Sequence, residues 1–429
     1  MTAVAPFEPN PVIAVAVSGG VDSLCLALLL QQWIHKQQGH LIALTVDHGL
    51  RLESTKEALQ VGKWLKQHHI EHHILPWKGP KPTTRIQENA RKERYRLLED
   101  WCKNHNILHL CLGHQANDQV ETFLFRLCRG SGIDGLAGMA AIVEKPNVRI
   151  LRPLLKVKRE RLQHTLLELK QEWIEDPSNL NDQYTRTRLR HIQKTLEPEG
   201  LTLESLSKTI QKLSLSRVEL ETQTIAHLAN SFQIFPSGYG ILDLPQLLEA
   251  QDDIIMRVLS ASLTCISGKA YPPRRIYLER LKNSIVSGIK IKGRTCWGCS
   301  IIPWRGKLLI VRELSAISDQ VLIENSKDII RWDNRFSFVF KRNISNTVML
   351  QNLGIQGWIQ IVGKKPDLQK KLIPPRVRPT LPALWQGDEV IAVPHLDYYG
   401  ASEILSSEDI GQPIFSPSQT LCNQFFTVG

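Results

Sequence analysis

The sequence predicts an α/β protein: a doubly wound, mostly parallel sheet at its start, followed by a helical or α+β middle domain and a small α+β domain at its end. Three observations predict it. Short apolar runs at 12–17, 41–46, 72–75 and 107–112 alternate with stretches of helical period at 22–37, 55–68, 86–105 and 115–128. Alternation of strand and helix over this length makes a parallel sheet covered on both faces. The first apolar run, Val12 to Val17, meets the first helical stretch across Ser18-Gly19-Gly20-Val21-Asp22-Ser23, a glycine turn between strand and helix. At 429 residues the chain also exceeds what one hydrophobic core organises, so two or three domains are expected.

The sheet domain is expected over 1–200, because Glu197-Pro198-Glu199-Gly200 breaks the pattern after an Arg-rich segment. A polar helix over 201–230 carries Leu203, Leu206, Ile210, Leu213 and Val218 on one side and reads as a connecting arm. A compact helical section at 241–286 bears Arg274, Arg275, Arg280 and Lys282, and short strands at 299–303 and 307–312 complete a middle domain over 201–315. The last domain, 316–429, shows strand-like runs at Phe336 to Phe340 and Glu389 to Val393.

Composition narrows the partners. A formal charge of +11 and a pI near 9.2 favour a polyanion, nucleic acid first. Residues 145–161 hold Lys145, Arg149, Arg152, Lys156, Lys158, Arg159 and Arg161, a run that follows a phosphate backbone or forms one solvated helix face. No stretch reaches the roughly 18–20 uncharged apolar residues of a membrane span. Met1 to Asn10 lacks a basic region ahead of an apolar segment, so no secretory signal is expected and the protein reads as cytosolic. Of eight cysteines, only Cys296 and Cys299 have ligand spacing; a single pair falls short of the four ligands of structural zinc, and both read as strand residues.

Three motifs converge on the carboxyl ends of the strands, where open α/β sheets bind ligands. In the Ser18–Ser23 turn, two glycines permit a sharp bend and close approach, so that successive N–H groups face an anion beside the positive end of a helix. The turn has no Lys and lacks Walker spacing. Thr45 to Arg51 closes the second strand, placing Asp47 where an adenine edge, a ribose or a metal is held. Gly113-His114-Gln115-Ala116-Asn117-Asp118-Gln119-Val120-Glu121-Thr122 follows the next buried strand. Asp118 and Glu121, three apart at a helix start, share a face that grips Mg²⁺ or an ammonium, although acids in a first turn also simply complement the helix dipole. Downstream, four glycines around Arg129 and Asp134 make a polar, flexible loop.

Ser18 to Ser23 resembles the pyrophosphate loop of the N-type ATP pyrophosphatases, a Rossmann-like superfamily that cleaves ATP between the α and β phosphates. Thr45 to Arg51, Arg85 to Tyr95, Gly113 to Thr122, Gly130 to Met139, Arg152-Pro153-Leu154-Leu155, Glu175 to Asn179 and Arg186 to Arg190 occur in the order and spacing of the tRNA(Ile)-lysidine synthetase family. The match covers the first 190 residues and is looser beyond, with Arg376 to Pro394 similar to that family's final domain. Two positions depart: Asn117 stands where adjacent acids are common, and Thr187 where Asn is frequent.

The resemblance implies that cytidine 34 of tRNA(Ile) with a CAU anticodon is adenylated at its C2 oxygen by ATP, after which free L-lysine displaces AMP. Codon reading then changes from AUG to AUA and identity from Met to Ile. ATP would lie on Ser18, Gly19, Gly20, Val21, Asp22, Ser23, Asp47, Gly113 and His114, with Asp22 organising the loop or its Mg²⁺. Asp118 and Glu121 would hold the lysine ammonium groups and accept a proton, and Arg91 or Arg94 would bind its carboxylate. Arg129, Arg186, Arg188, Arg190, Arg274 and Arg275 are the candidate tRNA contacts. The oligomeric state is left open, a homodimer being one option. A tRNA 2-thiolation enzyme is the main alternative, with a non-catalytic RNA-binding protein and a small-molecule amide ligase as further ones. Thiolation enzymes carry cysteines within the nucleotide domain, whereas the one Cys-x-x-Cys here lies far beyond it.

Overall fold

The apolar run at Val12 becomes a central strand of a six-stranded sheet in the computed structural model, which describes all residues except 51–52, 80, 83, 176–184, 288–292, 324–328, 342–347, 401–407, 422–425 and 429. The elements run β1 (Val12–Ala16), α1 (Val21–Lys36), β2 (His40–Asp47), α2 (Ser54–Gln67), β3 (Glu71–Pro76), α3 (Ile86–Asn104), β4 (His109–Cys111) and α4 (Ala116–Leu127). Next come α5 (Ile133–Leu136), β5 (Ile142–Glu144), β6 (Arg149–Leu151), α6 (Arg159–Glu168), α7 (Thr185–Leu196) and α8 (Leu203–Ser231).

Strand order is β3-β2-β1-β4-β6-β5, parallel from β3 to β6, with β5 antiparallel at the edge. The chain steps from β1 outward to β3 on one side and resumes with β4 on the other, so the direction of winding reverses between β1 and β4. A crevice opens there.

Both faces are buried, as a parallel sheet requires. Ile13 and Val15 of β1, with Leu41 and Ala43 of β2, pack among α1, α2 and α6 through Leu24, Val61, Leu65, Leu162 and Leu166. The alternate residues Ala14, Ile42 and Leu44 face the other way, onto Leu98 and Cys102 of α3. Period two along each strand thus divides one apolar run between two cores.

The basic run 145–161 does not form a single helix face. It contributes the turn and second strand of the β5–β6 hairpin, then the start of α6. Lys145 pairs with Glu99, Arg149 donates to the carbonyls of Ala5 and Pro6, and buried Arg152 donates to the Ala140 carbonyl. Arg149 and Arg152 are thus used inside the fold, while Lys156, Lys158 and Arg161 are exposed.

The chain divides into two compact units, Met1–Glu221 with 424–429, and Thr222–Asn423. Helix α8 begins in the first, where Leu206 and Ile210 pack on Val120 and Phe123 of α4. The second unit contains β7 (Phe232–Phe235), β8 (Tyr239–Leu242), α9 (Leu244–Leu248), α10 (Asp252–Ser267), α11 (Arg275–Val286), β9 (Arg294–Cys296), β10 (Cys299–Trp304) and β11 (Lys307–Arg312). It continues with β12 (Val321–Ile323), β13 (Ile329–Trp332), β14 (Phe336–Val339), β15 (Val348–Asn352), α12 (Gly354–Lys364), β16 (Pro382–Gln386), β17 (Glu389–Val393), β18 (Tyr398–Tyr399) and β19 (Ile414–Phe415). Three sheets result, ordered β7-β8-β11-β10-β9, β12-β15-β16-β17-β18 and β13-β14-β19. Tyr239, Leu309 and Val311 of the first share a core with Leu353, Ile361, Leu381 and Val390, so residues on both sides of position 315 are packed together. Among the described residues no helix is long and apolar enough to cross a membrane.

Gly19 fixes the turn after β1. Its φ is +89°, and a Cβ there would lie 2.7 Å from Ile174 Cδ1 and 2.8 Å from Val61 Cγ2. Gly19→Ala is therefore expected to lower stability by roughly 1–3 kcal/mol through left-handed strain and overpacking. Urea unfolding followed by far-UV circular dichroism reads the shift, and an unchanged midpoint would refute this account of the turn.

Candidate nucleotide site

The turn after β1 is shaped by its own polar groups. The Ser18 N–H donates to Ser23 Oγ at 3.1 Å, and that hydroxyl donates on to the Gly20 carbonyl at 3.1 Å. From outside, the Ile174 N–H donates to the Gly19 carbonyl at 2.9 Å. Val21 is buried in the sheet core and anchors the first turn of α1. Across the switch point, a Cβ on Gly113 would lie 3.0 Å from backbone atoms of Asp22 and Ser23. Only glycine lets the end of β4 approach so closely.

The next wall is the start of α4. Gln115 caps it: its side chain accepts the Asn117 N–H at 2.5 Å, while Asp118 Oδ2 accepts the Gln115 N–H at 3.0 Å. Asp118 is thus partly engaged as a cap. Glu121, one turn on, is buried and paired with Arg190 of α7. Arg190, a candidate tRNA contact, donates to Glu121 from a partly exposed position, and this pairing offsets the cost of a buried carboxylate. Asn117 Oδ1 accepts the Arg159 N–H at 3.4 Å, tying the start of α6 to that of α4. Arg159 Nη1 then stands 4.0 Å from Asp22 Oδ2.

Asp22 is the most perturbed acid of this group. Its carboxyl is pushed up to about 6, first by burial and further by Asp118 and Glu121, against the opposing pull of Arg159 and Arg190. Its Oδ1 is buried with no hydrogen-bond partner among the described residues. Three carboxylates face two guanidiniums, leaving the cluster one net negative charge. A cation fits that balance. No group of three or more His, Cys, Asp or Glu stands ready to hold a metal among the described residues. Mg²⁺ does not require one, since it takes one or two carboxylates with phosphate oxygens supplied by a substrate.

Asp47 sits at the end of β2, but its oxygens are occupied. Ser54 and Thr55 hydroxyls donate to it at 2.6 Å each and the Gly49 N–H at 3.1 Å. Burial pushes this carboxyl up, yet those hydrogen bonds outweigh it and hold it below the ordinary range. Its first use is to close the β2–α2 connection. The His114 N–H folds back to the Leu112 carbonyl at 3.0 Å, keeping the Gly113–His114 turn tight.

Other expected residues lie further out. Arg91 donates to the Tyr95 hydroxyl at 3.2 Å, with its guanidinium 5.1 Å from that ring, and Arg94 lies 6.0 Å from it. Arg129 is exposed and covers Phe125 at 3.9 Å, and Arg188 is exposed on α7. The Arg186 side chain is outside the described residues, as are Asp176 to Asn179. In the second unit Arg274 precedes α11, and Arg275 pairs with Glu279 at 2.8 Å.

Three contributors carried no recognisable signal in the sequence. Arg159 sits far along the chain within a run that reads as generic basic charge. Arg126 donates to the Gly135 and Gly138 carbonyls at 2.8 and 2.9 Å, and the Gln119 amide pairs with both backbone groups of Met139, at 2.6 and 2.9 Å. The glycine loop is therefore held rather than loose. Side chains bonded to backbone carbonyls leave no spacing to read.

The buried thiols of this unit are unlike sulfur-transfer nucleophiles, which need a depressed pKa. Burial pushes Cys25 up to about 11, and Cys102 and Cys111 up to about 12; Cys128 is exposed. In the second unit Cys296 and Cys299 face each other across β9 and β10, and burial raises both.

Residues 2–196 match the PP-loop domain family. Over 394 residues the chain is 34% identical to a tRNA(Ile)-lysidine synthase of Wolbachia pipientis wMel, covering 91% of this chain and 90% of the relative. It is 32% identical over 414 residues to that of Orientia tsutsugamushi, covering 94% and 92%. Among solved structures it is similar to a U34-tRNA thiolase of Methanococcus maripaludis at 21% identity and a TM-score of 0.43, over 49% of this chain and 76% of that one.

The burial of Asp22 has a measurable cost. Its folded pKa of about 6 exceeds the ordinary 3.8, so between those pH values the folded state holds more protons than the unfolded one. Stability contributed by this group falls as pH rises through that window, and the full penalty applies above it. Asp22→Asn is expected to stabilise the ligand-free protein at pH 7 by roughly 1–3 kcal/mol, with the gain vanishing below about pH 4. Thermal unfolding of both proteins across pH 4–8 reads this directly; a pH-independent difference would contradict it.

Proposed function

The chain belongs to the tRNA(Ile)-lysidine synthase family, and from that membership we propose that it uses ATP to join free L-lysine to C2 of cytidine 34 in tRNA(Ile) with a CAU anticodon. ATP first adenylates the C2 oxygen and releases diphosphate; the lysine ε-amine then displaces AMP, giving lysidine. The observation that carries this reading is the glycine turn at the β1/β4 switch point, with half-buried Asp22 beside Arg159 and its Oδ1 shielded from solvent.

The parts divide the work. The Gly19–Ser23 N–H groups and the first turn of α1 meet charge growing on the leaving diphosphate with little reorganisation. The loop lacks its own cation, and Arg159 supplies one from α6. Asp22 is the residue to hold Mg²⁺ together with the phosphate oxygens of ATP, and the ion when bound neutralises charge on the leaving group. Lysine arrives with an ammonium of pKa near 10.4 and must lose a proton before attack. Asp118 and Glu121 line one face for it, their negative charge exceeding what Arg190 cancels. Since C34 is in a single-stranded loop, it enters the pocket without a duplex being opened. Surface cations of both units, Arg129 and Arg188 in the first and Arg274 and Arg275 in the second, hold the remaining tRNA.

The deciding experiment incubates the protein with radiolabelled lysine, ATP and tRNA, omitting each in turn. Label is expected in RNA only when all are present, with one AMP released per lysine joined; label without ATP, or none at all, would sink the proposal. Asp22→Ala is expected to abolish AMP formation while filter-bound tRNA stays close to wild type. Glu121→Gln keeps a hydrogen-bonding group for Arg190 but removes charge, and should raise KM for lysine about tenfold or more with KM for ATP nearly unchanged, as for a lost charged contact of about 1.4–3 kcal/mol. Equal rises for both substrates would move the ammonium site elsewhere.

A further inference from the structure

We propose that the second unit carries a pocket for an unpaired nucleotide of the RNA substrate, built from the Cys296–Cys299 hairpin and the segment that follows α10. The inference rests on the reading of that substrate as tRNA and adds a binding site remote in sequence from the ATP residues.

Cys296 and Cys299 are cross-strand partners, so the hairpin turns in two residues, Trp297 and Gly298. Both have positive φ, +57° and +79°. This is the backbone of a type I′ turn, which favours Asn or Asp followed by Gly. Glycine occupies its usual place, but a bulky ring at the first position is sterically unfavourable there. The hairpin forms despite this residue, not because of it. What the position retains is an indole, and strained placements of this kind cluster where side chains have ligands to meet.

The surroundings specify the ligand. The Trp297 indole N–H donates to the Tyr271 carbonyl at 3.0 Å, and the Lys269 ammonium lies 4.3 Å from the ring centroid. Beside them is a cavity of about 340 Å³, lined also by Arg312, Asp333 and Asn334. That volume suits a small-molecule or nucleotide group. The floor is rigid: Arg312 donates to both Asp333 oxygens at 3.0 and 3.1 Å and to the Gly298 and Ala316 carbonyls at 3.1 and 2.7 Å, while Arg335 donates to Asp333 at 2.6 Å. Asp319 accepts the Asp333 N–H at 2.9 Å, so two guanidiniums face two carboxylates in the floor, and Lys269 at the rim supplies the net positive charge. Tyr271 is 76% exposed, and Pro272-Pro273-Arg274-Arg275 follow it. Two aromatic rings beside fixed positive charge match a base with its phosphate; an acidic peptide would use the charge but not the rings.

The test uses the full chain. Tyr271→Ala alters an exposed side chain and is expected to raise KM for tRNA about tenfold, with kcat and the KM values for ATP and lysine within about twofold. Trp297→Asn supplies the residue the turn prefers, so the thermal midpoint should hold or rise while KM for tRNA rises as in Tyr271→Ala. A short single-stranded oligonucleotide should quench tryptophan fluorescence in wild type and not in Trp297→Phe, and a duplex of the same length should do so weakly. Normal KM for tRNA in folded Tyr271→Ala and Trp297→Asn would overturn the pocket. So would a lowered midpoint in Trp297→Asn with unchanged tRNA affinity, which marks the indole as a hairpin staple only. If wild type forms no lysidine, the proposed function fails, and oligonucleotide quenching still decides this site.

Discussion

The first unit depends on a half-buried carboxylate, one oxygen of it shielded from water, where the winding of the parallel strands reverses. Asp22 is brought there because β1 must turn into α1 within a few residues, and Gly113 at the end of β4 presses against the same backbone. Once the carboxylate is half-buried, the surrounding charges are constrained. Two acids beside it raise its proton affinity, and two arginines from helices far along the chain oppose them. Leu162 and Leu166 already fasten α6 to one face of the sheet; Arg159 at its start and Arg190 on α7 add the cations that offset this carboxylate and its neighbours.

This division of charge qualifies what a net charge of +11 means. A basic protein with a polyanionic partner invites every arginine to be assigned to RNA. Here Arg149, Arg152, Arg126 and Arg190 bind carbonyls or a carboxylate of the same unit, and the cations left for a long-range field are the exposed ones such as Arg129 and Arg188. Burial separates the two classes. An arginine facing backbone carbonyls fixes shape, whereas one at the surface contributes to association and to its salt dependence.

The second unit applies the same device differently. Asp333 lies beneath Arg312 and Arg335, so three charged groups are buried as a network anchored to the carbonyls of Gly238, Gly298 and Ala316. Such a network fixes the ends of β8 and β11 relative to the β9–β10 turn. A turn held this firmly can carry an aromatic residue in a backbone conformation that it does not favour.

The sequence by itself determined the nucleotide sheet and its turn. Period two in the apolar runs and period 3.6 between them are local properties, so β1 to β4 and α1 to α4 lie within two residues of their expected places. The glycine turn was legible for the same reason, since positive φ and close approach are written into residue type. The β5–β6 hairpin was not, because strands of three residues carry too little pattern to distinguish from a basic loop. Tertiary structure alone decided which charges meet: that Arg159 faces Asp22 and that Arg190 serves Glu121. Pairing between groups 69 or more residues apart is set by how helices pack over a sheet, and no spacing within the sequence encodes it.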